Sequence, residues 1–169
     1  MVDAWILRSM HRRCNYDPVM VQEAARCIEI ELIKRNLGGV QNVDKAPAKV
    51  AYYLEQYYRS SIADVVILPY LNEGTTEYLD IDHLRKLMGI VQGMLQYKPF
   101  PLVTVHDSFA AHPNNVNWVR WQYKEILAEL ADSNLLNDLL SQLYGMPGQF
   151  EKLSDDLGDK IRNSEYGLC

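Results

Sequence analysis

The stretch that most constrains this chain is Phe100-Pro-Leu-Val-Thr-Val-His-Asp-Ser-Phe-Ala-Ala-His-Pro113. Leu102 to Val105 is apolar and rich in β-branched side chains, which predicts a buried strand. His106-Asp107-Ser108 interrupts it, a second short extended piece returns, and His112-Pro113 closes the segment. Strand, polar turn and return strand make a β-hairpin with a carboxylate at its tip. A carboxylate is costly in apolar surroundings unless it is paired, hydrogen-bonded or bound to metal. At a half-solvated tip, Asp107 can hold a hard cation such as Mg²⁺. The simpler reading is a polar turn in which Asp107 bonds its own backbone. The residues alone leave both open.

The rest of the chain is written mainly in helical periods. Apolar spacing predicts helices at about 3–13, 19–36, 47–59, 82–97, 114–131 and 135–144. Trp5, Ile6 and Met10 give the first helix its apolar side, with Arg8, Arg12 and Arg13 on other faces. Asp17 is placed to cap the second helix and Pro18 suits its first turn. Gly38-Gly39 ends that helix. Residues 63–68 are β-branched and stopped by Pro69, which predicts another strand. Gly89 and Gly93 would let another element approach the fourth helix closely. Residues 149–169 are polar and partly helical, and are expected to be the least ordered part. The fold class is α+β, mostly helical around a small antiparallel sheet, with the hairpin carrying His106 and Asp107.

Composition bounds the function. With 169 residues and 48% hydrophobic content, the chain can bury a real core. Its net charge of −5 does not suggest a general nucleic-acid binder, because phosphate contacts need a basic surface. The charge is uneven, however: from Glu125 onward nine acids face three bases, while Arg8, Arg12 and Arg13 cluster near the start. Cys14, Cys27 and Cys169 have no metal-ligand spacing and fit a reducing compartment, with the first two expected to be semi-buried. The opening residues carry an acid and three arginines, unlike a secretory signal, and no apolar run is long enough to span a membrane. The glycine pairs do not make a phosphate-binding loop. The four histidines do not converge in sequence on a zinc site. Tyr52, Tyr53, Tyr57 and Tyr58 can cover one helix side, either packed with hydroxyls outward or stacked on bases.

Leu102-Val-Thr-Val-His106-Asp107-Ser108-Phe109, followed by a short strand, His112-Pro113 and a long helix, resembles motif C in the palm of single-subunit, bacteriophage-type RNA polymerases. In that family an apolar strand leads to His-Asp-Ser, usually followed by Phe. The related family A DNA polymerases carry His-Asp-Glu, so Ser108 points to the RNA polymerase branch. Asp3-Ala-Trp-Ile-Leu-Arg8 resembles the family's Asp-Gly-x-x-Leu-Arg helix, which comes before motif C. Leu135-Leu-Asn-Asp-Leu-Leu140 falls where the family has a helix after motif C.

The resemblance implies that Asp107 binds Mg²⁺ in two-metal nucleotidyl transfer, that His106 lies beside the 3′ end, and that Arg8 and Arg12 approach nucleic-acid backbone. An exposed basic helix face is the plain alternative for the two arginines. It also implies that the chain is a fragment or one subunit of a split enzyme. Its partners would be the remaining polymerase domains or a second subunit, a DNA template, an RNA product and NTPs, without a membrane, in the cytoplasm of an infected bacterial host. Residues 1–148 would be a partial palm-like domain, with 15–97 an unmatched, mostly helical insertion, and 149–169 a tail. The sequence departs from the family in three places. Ile6 stands where the family has a His before Leu-Arg, the chain end has only Tyr166 as an aromatic, and neither the metal-binding Asp of motif A nor the Lys and Tyr of motif B is found. The alternative function is a non-catalytic helical protein-interaction module.

Overall fold

The computed structural model describes residues 2–106, 108–146, 150–152 and 154–165. Asp107 and the chain end at Tyr166 to Cys169 lie outside the described residues. Among the described residues the fold is α+β and mostly helical, with one two-stranded antiparallel sheet. None of these helices is long and apolar enough to cross a membrane. The chain divides into two units, each with its own core. The first takes the described residues of 1–14, 58–62 and 100–169, and the second is Asn15–Tyr57 with Ala63–Pro99.

The first unit begins with α1 (Val2–Cys14), which buries Ile6, Met10 and Cys14. After the second unit the chain returns through β1 (Val103–Val105) and β2 (Ser108–Ala110), then α5 (Val116–Asp132), α6 (Leu135–Tyr144) and α7 (Leu157–Asn163). Its core joins Ile6, Met10 and Cys14 to Phe100, Leu102, Trp118, Val119 and Ile126. The N–H of Phe100 donates to the carbonyl of Cys14 (2.9 Å), so the unit is closed where the chain leaves it and comes back. Within the tail expected at 149–169, the described residues include a further helix. Helix α7 packs on α5, where Arg162 bridges Glu125 (3.2 Å) and Asp132 (2.9 Å) and Lys124 donates to the Ser164 carbonyl.

Arg13, which clusters in sequence with Arg8 and Arg12, does not face solvent. It is 2% exposed and donates to both oxygens of Glu129 on α5, at 2.8 and 2.5 Å. Cys14 and Cys27 are fully buried rather than semi-buried. Burial pushes the Cys14 thiol up to about 12, outweighing the neighbouring Arg13, and keeps it protonated.

The second unit holds α2 (Pro18–Asn36), most of α3 (Ala48–Ser60) and α4 (Ile81–Leu95) around a core that includes Ile28, Leu54, Leu68, Leu84 and Val91. Asp17 accepts from the Val19 and Met20 N–H groups and Pro18 opens α2, as the sequence predicts. The Tyr16 hydroxyl donates to the carbonyls of Met94 (2.8 Å) and Tyr97 (2.6 Å) and draws this unit's ends together. The strand expected at 63–68 is a 3-10 helix, Val65–Tyr70, whose first turn Asp64 caps by accepting from Val66 N–H. Gly93 is buried, whereas a Cβ at Gly89 would meet nothing within 4 Å, so Gly89 does not serve a close approach.

His83 on α4 is 1% exposed and stacks on Tyr57, with ring centroids 3.8 Å apart. Its Nδ1 has no partner among the described residues. Burial, reinforced by Lys86 and opposed by Asp82, lowers its pKa from 6.5 to about 3. The folded state therefore excludes a proton that the unfolded chain accepts. Stability is unaffected above the unfolded pKa and declines as pH falls from 6.5 toward 3. Between pH 7.5 and 4.5 this residue is expected to cost about 2–3 kcal/mol, from about 1.4 kcal/mol per unit of pKa difference. Urea midpoints of the wild type and His83→Phe at the two pH values check this. The variant keeps the ring stack, and its acid loss should be smaller by that amount. Equal losses would show that His83 titrates freely.

Candidate functional site

The hairpin pairs Val103 with Ala110, Thr104 with Phe109 and Val105 with Ser108, which leaves a two-residue loop at 106 and 107. His106 has φ 55, in the left-handed region. Two-residue hairpin loops favour positive φ at their first position because the primed turns match the twist of the strands. His, Asn and Asp enter that region more readily than other non-glycine residues.

The two hairpin faces differ. Thr104 and Phe109 turn inward, Thr104 to His11 of α1 (Oγ1 to Nε2, 3.3 Å) and Phe109 to the Tyr123 ring of α5 (5.6 Å). Val103 and Val105 are 60% and 63% exposed. The expectation of a buried strand therefore fails on this face. A two-stranded ribbon buries one side against α1 and α5, and the described residues provide no layer for the other.

A cleft of about 560 Å³ lies beside the turn. Asp3, Ala4, Ile6 and Leu7 of α1, His106 and Phe109 of the hairpin, and Tyr123 of α5 line it. Two segments separated in sequence by the entire second unit thus form one concavity. Its walls mix apolar side chains with a carboxylate, an imidazole and a phenol. Asp3, Phe109 and Tyr123 were not singled out as site residues in the sequence, because each lies within an ordinary helical or strand pattern.

The remaining expected site residues fall as follows. His106 is exposed and lines the cleft, and Asp107 lies outside the described residues. Arg8 is exposed on α1, and Arg12, one turn on, is half-buried and engaged. Neither lines the cleft. His112 acts locally, its Nδ1 accepting from the Asn114 N–H (3.3 Å) at the entry to α5. Among the tyrosines, Tyr57 is buried while Tyr52 and Tyr58 are each 56% exposed. No protein-family model and no curated protein matches the chain.

Proposed function

We propose that this chain is the C-terminal palm part of a bacteriophage-type, single-subunit DNA-directed RNA polymerase, incomplete by itself. The observation that carries this reading is the shared cleft. Members of the two stretches that resemble the family line it together, Asp3, Ala4, Ile6 and Leu7 from the one and His106 and Phe109 from the other. The bond from Phe100 to Cys14 adds support, because it holds together, within the first unit, the ends of the long stretch that separates the two palm-like segments. The exposed Val103 and Val105 fit a sheet whose further layer belongs to another part of the enzyme.

In this reading Asp107 and an aspartate from outside the chain would hold Mg²⁺, which when bound would supply charge stabilisation for nucleotidyl transfer. A carboxylate flanked by the exposed His106 and Ser108 offers the hard oxygen donors that Mg²⁺ takes. His106 positions the 3′ end, and Arg8 and Arg12 approach template or product phosphates. The alternative, a non-catalytic helical interaction module, is supported by the outward leucines of α6, but it gives no role to the cleft.

Reconstitution tests the proposal. With Mg²⁺, a DNA template and four NTPs, the chain alone is expected to make no template-dependent RNA. Combined with the polymerase part that carries the family's motif A and motif B residues, it is expected to do so. Synthesis by the chain alone would refute its incompleteness, and silence from the combination would refute the polymerase reading.

A further inference from the structure

The cleft beside the hairpin turn has one carboxylate among its described walls, that of Asp3, and no lysine or arginine. Asp3 stands in the first turn of α1 and is exposed. Among the described residues it has no ion pair and no hydrogen-bond partner. Favourable charge at a helix N-terminus accounts for an acid at this position. It does not account for an acid that lines a concavity. The packing of α1 rests on Ile6, Met10 and Cys14, so the Asp3 carboxylate is free to meet a ligand.

Charge decides which part of a nucleic acid suits these walls. Phosphates are held by arginine, lysine and backbone N–H groups, and a carboxylate repels them. Arg8 and Arg12 do not line the cleft. A carboxylate only accepts hydrogen bonds, so its ligand must donate. Ala4, Ile6 and Leu7 add apolar area, and Phe109 and Tyr123 add two rings with centroids 5.6 Å apart. A nucleoside matches this combination, with a flat base beside sugar hydroxyls. At about 560 Å³ the cleft has the size of a small-ligand site. Of the two nucleic-acid sugars only ribose has a 2′-hydroxyl, the group by which a protein tells RNA from DNA at a given position. Dinucleotide-binding folds read that same hydroxyl with an acidic side chain.

We infer that the cleft selects ribose over deoxyribose at the 3′ end of a bound RNA, and that Asp3 is the specificity-determining residue, accepting from the 2′-hydroxyl. The inference rests on the polymerase reading for the RNA end as ligand, while the chemistry of the walls supplies the selectivity. Asp3 and Asp107 then have separate tasks, the first reading the sugar and the second holding metal.

The test uses the full chain and two ligands without phosphate, adenosine and 2′-deoxyadenosine, titrated against the NMR signals of the His106 and Tyr123 rings. Adenosine is expected to bind with Kd in the millimolar range, about tenfold more tightly than 2′-deoxyadenosine, as one hydrogen bond to a charged group gives. Asp3→Ala should bring the two within about twofold of each other. Ala4→Trp should weaken both by about tenfold, because the indole occupies the cleft. Asp3 and Ala4 are both exposed, so the fold is expected to survive, and circular dichroism checks it. If Asp3→Ala unfolds, Asp3→Asn keeps the size, loses the charge, and should cut the preference to about threefold or less. An adenosine trinucleotide RNA should show the same preference when its 3′-terminal sugar alone is made deoxyribose, and none when its 5′-terminal sugar is changed. ATP should bind no more tightly than adenosine.

The inference is overturned by no binding of adenosine, by equal affinity for the two nucleosides, by a preference that survives Asp3→Ala, or by indifference to Ala4→Trp. A trinucleotide without the 3′-end preference, or tighter binding of ATP, would also overturn it. So would tighter binding of butylammonium that Asp3→Ala abolishes, since the acid would then serve a cation. The polymerase reading fails separately. Ribose selectivity with a silent reconstitution would leave an RNA-end site without the polymerase, and active reconstitution without ribose selectivity would leave the polymerase without this role for Asp3.

Discussion

If the proposed polymerase function holds, replacing Asp107 with asparagine in the chain combined with its partner part is expected to lower nucleotide incorporation by about a thousandfold or more while DNA binding survives. The substitution keeps the size of the side chain and removes its charge. If Asp107 holds Mg²⁺, the variant loses part of the transition-state charge stabilisation that the metal supplies, which is worth several kcal/mol. A loss of about 4 kcal/mol corresponds to about a thousandfold in rate. Template affinity depends on phosphate contacts by other residues, Arg8 and Arg12 among the expected ones, and is not expected to fall with it. Single-nucleotide extension and a gel-shift assay on the same preparation separate the two effects. Near-normal extension would exclude Asp107 as a metal ligand, and equal loss of binding and extension would point to a folding defect.

Glu129→Ala is expected to destabilise the first unit by about 3–5 kcal/mol. Arg13 is almost wholly enclosed, and Glu129 accepts from two of its nitrogens. Removing the acid leaves an uncompensated guanidinium away from water, which costs far more than the pair contributes. The double replacement Arg13→Met/Glu129→Leu fills similar space without charge and is expected to be close to neutral. Urea unfolding at pH 7 distinguishes these cases. A cost below about 1 kcal/mol for Glu129→Ala would mean that Arg13 reaches water in solution, since exposed pairs are worth about that much.

The helices were legible because their signals are local. Asp17 with Pro18 marks the start of α2. The hairpin was legible from its β-branched run, its polar break and the short extended return. Features decided by distant partners were not. Arg13 looks like one more solvent-facing base until Glu129, 116 residues away, is brought beside it. Val65 to Leu68 has the composition of a strand, yet it has no strand to pair with, and the Asp64 side chain starts a tight turn instead. The apolar content of Val103 and Val105 gives no hint that one face of the ribbon is uncovered. The exposure of Leu136 and Leu143 on α6 is equally silent in the sequence, as is the pairing of its Asp138 with Arg59, 79 residues away. The cleft itself had a partial signal, since both segments that line it share one family resemblance, but which side chains meet there depends on how α1 crosses the hairpin.

The placement of Tyr16 has a consequence for how the chain finds its structure. Residues 15–99 separate α1 from the segment it must meet, and closing a flexible loop of that length costs about 4 kcal/mol in chain entropy. The second unit has its own core, and its Tyr16 hydroxyl holds the carbonyls of Met94 and Tyr97. Once that unit has formed, Cys14 and Phe100 are separated by only a few residues of free tether at either end. The long closure becomes a short one, costing a few kcal/mol less, and pairing that is distant in sequence becomes effectively local. A polypeptide carrying so large an excursion between two halves of a cleft can therefore assemble that cleft in stages, the excursion first and the cleft second.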